Sequence, residues 1–162
     1  MRFALTRRAT LAAIAGLATA SYSHFSKAGP SATKITVTKD PNCGCCSGWV
    51  DHLRQAEFSV DVVENSELDQ VKTRLGVPQA LAACHTAEVD GYVIEGHVPA
   101  VCIRRLLAEQ PKAKGVAVPG MPVGSPGMEV HGARPDTYTV FLFGPFGRRP
   151  YARFEGTQEL PI

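Results

Sequence analysis

The stretch Asp40-Pro41-Asn42-Cys43-Gly44-Cys45-Cys46 sets three cysteines within four positions. Cys43 and Cys46 alone form a C-x-x-C, the spacing of a dithiol that cycles with a disulfide. Cys45 adds a third soft donor that dithiol exchange does not need and that could scramble it. A third thiolate in one turn suits a metal, and thiolates select Cu(I), zinc or iron–sulfur clusters. Gly44 carries no side chain to stop the backbone wrapping around an ion. A disulfide framework fits poorly. The five cysteines, Cys43, Cys45, Cys46, Cys84 and Cys102, cannot all pair within one chain. Adjacent cysteines also rarely bridge without strain.

Further donors lie downstream. Cys84 and His85 sit together in "ACHTA", His97 precedes Val98-Pro99, and Met121 and Met128 punctuate "PGMPVGSPGM". Thioether beside thiolate points to Cu(I), because zinc usually takes cysteine, histidine and carboxylate. Methionine cannot form a disulfide, which suits a copper site in an oxidising compartment. The metal ligands read from the chain are therefore Cys43, Cys45, Cys46, Cys84, His97, Met121 and Met128. Sulfurs this close could bridge more than one Cu(I). His85 is expected to face away from Cys84, since side chains alternate along a strand. Cys102, among Val101, Ile103, Leu106 and Leu107, reads as a small buried apolar residue, and Trp49 as packing behind the motif. His52, Arg104 and Arg105 read as solvated helix positions, and His24 and His131 as peripheral.

The elements that must position these groups are legible in outline. "KITVTK" alternates Ile35 and Val37 with polar neighbours, a strand signal, and Asp-Pro-Asn then turns the chain. Trp49, Val50, Leu53 and Ala56 recur at helical spacing, predicting a helix over 46–57. This puts the cysteines at a helix N-terminus, where free amides and the dipole stabilise a thiolate, with Cys43 more exposed and Cys46 more buried. A strand is predicted over 58–64, then a helix capped by Ser66, with Asp69 three residues on, and ended by Gly76. Two strands near 84–89 and 91–96 flank an Asp90-Gly91 hairpin turn, and Pro99 opens a third helix. Residues 111–136 form a Gly/Pro/Met loop too long for a simple connector, followed by a strand "TYTVFLFG" and a partner "RRPYARFEG". The β-α-β-α-β-β-α order, with C-x-x-C between the first strand and helix, is that of a thioredoxin-like α/β domain: a central mixed sheet flanked by helices.

The ends and the charge bound the function further. "MRFALTRRATLAAIAGLATA" has a basic start, a short apolar run and an Ala-Thr-Ala end, which predicts a signal peptide over 1–20 and a periplasmic protein. Arg7-Arg8 with Leu11 resembles a twin-arginine signal, the Sec route being the alternative. The apolar run is too short to span a membrane, so no stable insertion is expected after cleavage. Residues 21–33 read as a flexible mature tail and 34–162 as the metal-binding domain. Net charge is +2, and Arg2, Arg7 and Arg8 lie in the leader, so the mature chain is near neutral. With no basic stripe or repeated stacking aromatics, nucleic acid is not an expected partner.

"PNCGCC", "GVP", "ACHTAEVDGYVIEGHVPA", "RLLAEQP" and "GVAVPGMPVGSPGMEV" together resemble the CopG-like family of exported metal-binding proteins, long catalogued as a domain of unknown function. The resemblance covers roughly residues 34–145. It implies a thioredoxin-like fold, copper binding through the triple cysteine, and a role in periplasmic copper resistance, with redox cycling or transfer to other copper-handling proteins. Cys43, Cys45 and Cys46 match the family's triple cysteine. Cys84, His85, His97, Met121 and Met128 match its "CHTA", "EGHVP", "PGMP" and "SPGME" strings. Cys102 departs from it, where a polar or acidic residue is expected.

Two other readings stand beside copper binding. One is a thiol–disulfide oxidoreductase using Cys43 and Cys46, with Cys45 or Cys84 as resolving thiol. The other is a structural zinc site, against which the methionines count. Cys45 discriminates: Cys45→Ser should damage copper binding and leave dithiol exchange largely intact.

Overall fold

Ile35 and Val37, fully buried, alternate with polar neighbours along β1 (Lys34–Lys39) and anchor the sheet. The structure is a computed structural model that describes residues 33–162. The signal peptide and most of the tail expected from the sequence lie outside the described residues. Beyond β1, Asp40 Oδ1 accepts the Asn42 amide at 2.8 Å and the Asp40 carbonyl accepts the Cys43 amide at 3.1 Å, so Asp-Pro-Asn turns the chain as expected. Helix α1 (Gly44–Gln55) follows and buries Cys46, Trp49, Val50 and Leu53 along one stripe.

β2 (Ser59–Glu64) returns parallel to β1, and α2 (Leu68–Leu75) ends at Gly76 in the left-handed conformation, φ 73°. The expected Ser66 cap is not made. Asn65 Oδ1 takes the Glu67 amide at 2.7 Å, and this turn starts the helix two residues later than Ser66. A 3-10 turn (Gln79–Leu81) leads into β3 (His85–Val89) and β4 (Tyr92–Glu95). Their hairpin turn has Asp90 and Gly91 both at positive φ, 46° and 80°, as an Asp-Gly turn requires. Then come α3 (Ala100–Glu109), β5 (Gly115–Ala117), β6 (Thr137–Gly144), β7 (Gly147–Glu155) and β8 (Gln158–Leu160).

All eight strands form one mixed sheet in the order β2-β1-β3-β4-β5-β6-β7-β8. The β1/β2 and β4/β5 pairs are parallel and the others antiparallel. Adjacent residues point to opposite faces, and both faces are covered. Ile94, Val116 and Leu142 pack with Trp49, Leu53, Ile103 and Leu106 of α1 and α3. Val93, Ala117 and Phe143 pack with Val77, Leu81 and the half-buried Leu75 on the α2 side. Among the described residues the architecture is thus α/β, an eight-stranded mixed sheet with three α-helices. Among the described residues no helix is long and apolar enough to cross a membrane.

Part of the long Gly/Pro segment is strand. β5 pairs parallel with β4 and antiparallel with β6, and its three residues, all buried, show no alternation to betray them. The remainder is held by its own bonds. The Val123 amide donates to Asp136 Oδ2 and the Asp136 amide to the Val123 carbonyl, both at 2.9 Å, closing the loop at its base.

Candidate metal centre

Cys43 occupies the N-cap of α1, with φ −81° and ψ 97°, and makes no capping bond. Its Sγ is joined to Cys46 Sγ in a disulfide, with Cα atoms 5.4 Å apart. Cys43 is half-buried and Cys46 fully buried, the asymmetry expected of a C-x-x-C at a helix start. Cys45 and Cys84 are free and half-buried. Cys45 Sγ lies 3.5 Å from Cys43 Sγ and 3.9 Å from Cys84 Sγ, and Cys46 Sγ lies 3.5 Å from the Cys84 carbonyl oxygen. The sulfurs of Cys43, Cys45, Cys46 and Cys84 all fall within 4.8 Å of one another.

Cys84 also belongs to a second group. Its Sγ is 3.1 Å from His97 Nε2 and 3.3 Å from His85 Nδ1, and the three donor atoms again lie within 4.8 Å of one another. His97 Nδ1 is 2.8 Å from the Pro126 carbonyl. A carbonyl only accepts, so Nδ1 carries the proton and Nε2 offers its lone pair toward Cys84. His85 contradicts the expectation that it turns away. Cys84 precedes β3 and His85 is its first residue, so strand alternation does not relate the two. His85 is fully buried against the Trp49 ring, centroids 4.3 Å apart. Its Nε2 has no partner, the one such buried side-chain nitrogen or oxygen among the described residues.

The charge states suit ligation. Burial holds His85 well below the ordinary histidine value, with His97 and Lys72 adding to the effect, and burial likewise lowers His97. Both imidazoles are neutral at pH 7. Burial pushes the Cys84 thiol up to about 12, and Cys45 beside it pushes the same way. A metal entering here would displace that proton. With the Cys43–Cys46 disulfide reduced, four cysteine sulfurs and two neutral imidazoles form a donor set soft enough for Cu(I).

The surroundings are built to hold these groups. The Trp49 indole N–H donates to the Val98 carbonyl at 2.9 Å, and the buried ring closes the site from behind, as the sequence suggested. On the α2 side, Glu95 Oε1 accepts Lys72 Nζ and the Ala83 amide, each at 2.6 Å, and Oε2 accepts the Thr86 hydroxyl at 2.6 Å. Burial raises the Glu95 carboxyl, opposed by Lys72, Thr86 and the Ala83 amide. Three donors this close favour the carboxylate.

The long loop reaches the site through backbone. Gly127, at φ 81°, lies so close to α1 that a Cβ there would sit 2.4 Å from the Trp49 nitrogen and 2.9 Å from the Cys45 carbonyl. Pro126 supplies the carbonyl on His97. Met128 is half-buried, its backbone bonded to Gly124 and Ser125 at 2.8 Å. Met121 is 55 % exposed and lines a shallow cleft with Pro119, Pro122, Tyr138 and Thr139.

Cys102 is buried in the main core as expected, its thiol pushed up to about 12 by burial. His52 is half-buried rather than free in solvent: its Nε2 accepts the Ala100 amide at 3.0 Å, because α3 starts against this face of α1. Arg105 is less free than expected, since β8, unseen in the sequence, brings Glu159 within 2.8 Å. Arg104 is exposed, over the Phe58 ring, and His131 is exposed.

A family model described as a protein of unknown function, DUF411, matches residues 81–128, the span holding Cys84, His85, His97, Met121 and Met128. No curated protein matches the chain. Two solved structures do, both of a copper resistance protein, CopG. Form 1 is 44% identical with a TM-score of 0.73, covering 78% of this chain and 100% of that one. Form 2 is 43% identical with a TM-score of 0.70, covering 81% of this chain and 100% of that one.

Proposed function

The chain belongs to the CopG-like DUF411 family, and on that premise we propose that it binds copper as Cu(I) in copper resistance. The observation that carries this reading is the meeting of four cysteine sulfurs from two separate segments, with Cys84 shared by two neutral histidines. Once a reductant has opened the Cys43–Cys46 disulfide, Cys43, Cys45, Cys46 and Cys84 supply thiolates, and His97 supplies a nitrogen whose tautomer Pro126 fixes. His85 joins them through Nδ1, 3.3 Å from Cys84 Sγ. Met121 and Met128 are the loop's soft donors. Thiolates this close can bridge more than one ion.

The protein acts in the periplasm, exported by the N-terminal signal, and passes copper to or from other copper-handling proteins there. A thioredoxin-like core is part of the reading. Supporting it are the strand order β2-β1-β3-β4, with one parallel and two antiparallel pairs, and the C-x-x-C at the start of α1.

A second reading is favoured by one observation, the Cys43–Cys46 disulfide at a helix N-terminus. This is the arrangement of a thiol–disulfide oxidoreductase. Anaerobic Cu(I) titration of the reduced protein against a chromophoric chelator separates the two, with Cys45→Ser beside it. Tight binding that the variant loses supports copper. Weak binding, unchanged in the variant, contradicts it and leaves the dithiol.

A further inference from the structure

We propose that Glu95, held by Lys72 and Thr86, is a positioning residue that fixes Cys84 for metal binding by gripping the Ala83 amide; the metal-binding part of this rests on the copper reading above. Ala82, Ala83 and Cys84 lie between the 3-10 turn and β3, outside any helix or strand. Residues there lack a ladder to hold them, and Cys84 is the sulfur on which both donor groups depend. The Ala83 N–H finds its acceptor in the Glu95 carboxylate at 2.6 Å.

The carboxylate is itself immobilised. Glu95 is fully buried, and both of its oxygens are occupied. Lys72 Nζ also donates to Thr86 Oγ1 at 2.7 Å, closing a ring of three side chains. Thr86 lies opposite Glu95 in the β3/β4 register and two residues from Cys84. The Glu95 carbonyl accepts the Val118 amide at 2.9 Å, and Gly96 donates to the His85 carbonyl at 3.0 Å. Gly96 has no room for a side chain: a Cβ would meet Ala83 Cβ at 2.6 Å and the Val118 carbonyl at 2.4 Å. One residue thus ties the strand leading into His97 to the segment carrying Cys84.

Stability alone does not account for an ion pair here. Apolar residues of similar volume often serve a core as well or better. What they cannot do is accept the Ala83 amide.

The test compares Lys72→Met/Glu95→Leu with Lys72→Met/Glu95→Gln. Both remove the charge pair, and only the second keeps an acceptor for Ala83. In the reduced, metal-free protein, hydrogen exchange at the Ala83 amide and alkylation of Cys84, followed by mass spectrometry, should speed up several-fold in the leucine variant. Both should return toward wild type in the glutamine variant. Cu(I) affinity should fall about 10–100-fold in the leucine variant, as loss of an outer partner does, with circular dichroism and thermal midpoint retained. Wild-type exchange and labelling in a folded leucine variant would overturn the proposal. So would failure of both variants to fold, or equal loss of affinity in both. If the wild type binds no Cu(I), the copper reading falls, while exchange and labelling still decide whether Glu95 positions Cys84.

Discussion

Cys84 is where the two donor groups meet, and the largest single-residue effects belong there. Cys84→Ser should lower Cu(I) affinity by more than the roughly 10–100-fold that loss of an outer partner costs, because both groups lose a ligand. A chelator competition on the reduced variant checks this. The Cys43–Cys46 disulfide ties up two of the four sulfurs. The oxidised protein should therefore bind Cu(I) more weakly than the reduced one and recover on anaerobic reduction; equal affinities would place the ligands elsewhere. At this scale the cysteine cluster was legible as a candidate site, because three cysteines in four positions have few uses. His85 was missed, since its orientation depends on β3 starting one residue after Cys84, a boundary no local pattern marks. His52 was misread because its partner, the Ala100 amide, is remote in sequence.

At the scale of elements, two contacts hold the site's walls together. Gly127 lets the long loop lie on the first turn of α1, and its neighbours there are backbone atoms that cannot rotate away. Gly127→Ala must lift the loop and with it the Pro126 carbonyl from His97. Thermal unfolding should show destabilisation, and Cu(I) affinity should fall; a variant as stable and tight as wild type would show that the loop is not seated as described. His52 joins α1 to the start of α3. His52→Ala leaves the nearly buried Ala100 N–H without its acceptor and should cost about 1–3 kcal/mol in denaturant unfolding. Elements with periodicity or a turn signature were readable: β1, α1, the Asp90-Gly91 hairpin, α3 and β6. β5 and β8, three residues each, were not, because so short a strand is defined by its neighbours in the sheet.

For the molecule as a whole, burial of titrating groups sets the pH range of stability. Cys102 has an ordinary value of 9.0 and is pushed up to about 12 in the fold, and Cys84 behaves alike. Between those values the unfolded chain has lost a proton that the folded chain keeps, so stability should fall as pH rises above 9. His52, His85 and His97 are lowered from 6.5, so below that value the unfolded chain binds protons the fold refuses, and stability falls with acid. The reduced, metal-free protein should be most stable between these limits, and Cys102→Ala should flatten the alkaline slope in denaturant titrations.

The order of the first seven elements followed from the sequence. The eight-stranded sheet did not, because β5, which joins the β6-β7-β8 hairpins to the rest, pairs with β4 and β6 across long stretches of chain.

The central claim is that cysteine sulfurs hold copper, and X-ray absorption at the copper K-edge of the anaerobically loaded protein tests it most directly. A Cu(I) edge with a sulfur-dominated first shell, and a nitrogen contribution that shrinks in His97→Ala, is the predicted result. A first shell of nitrogen and oxygen alone would contradict it.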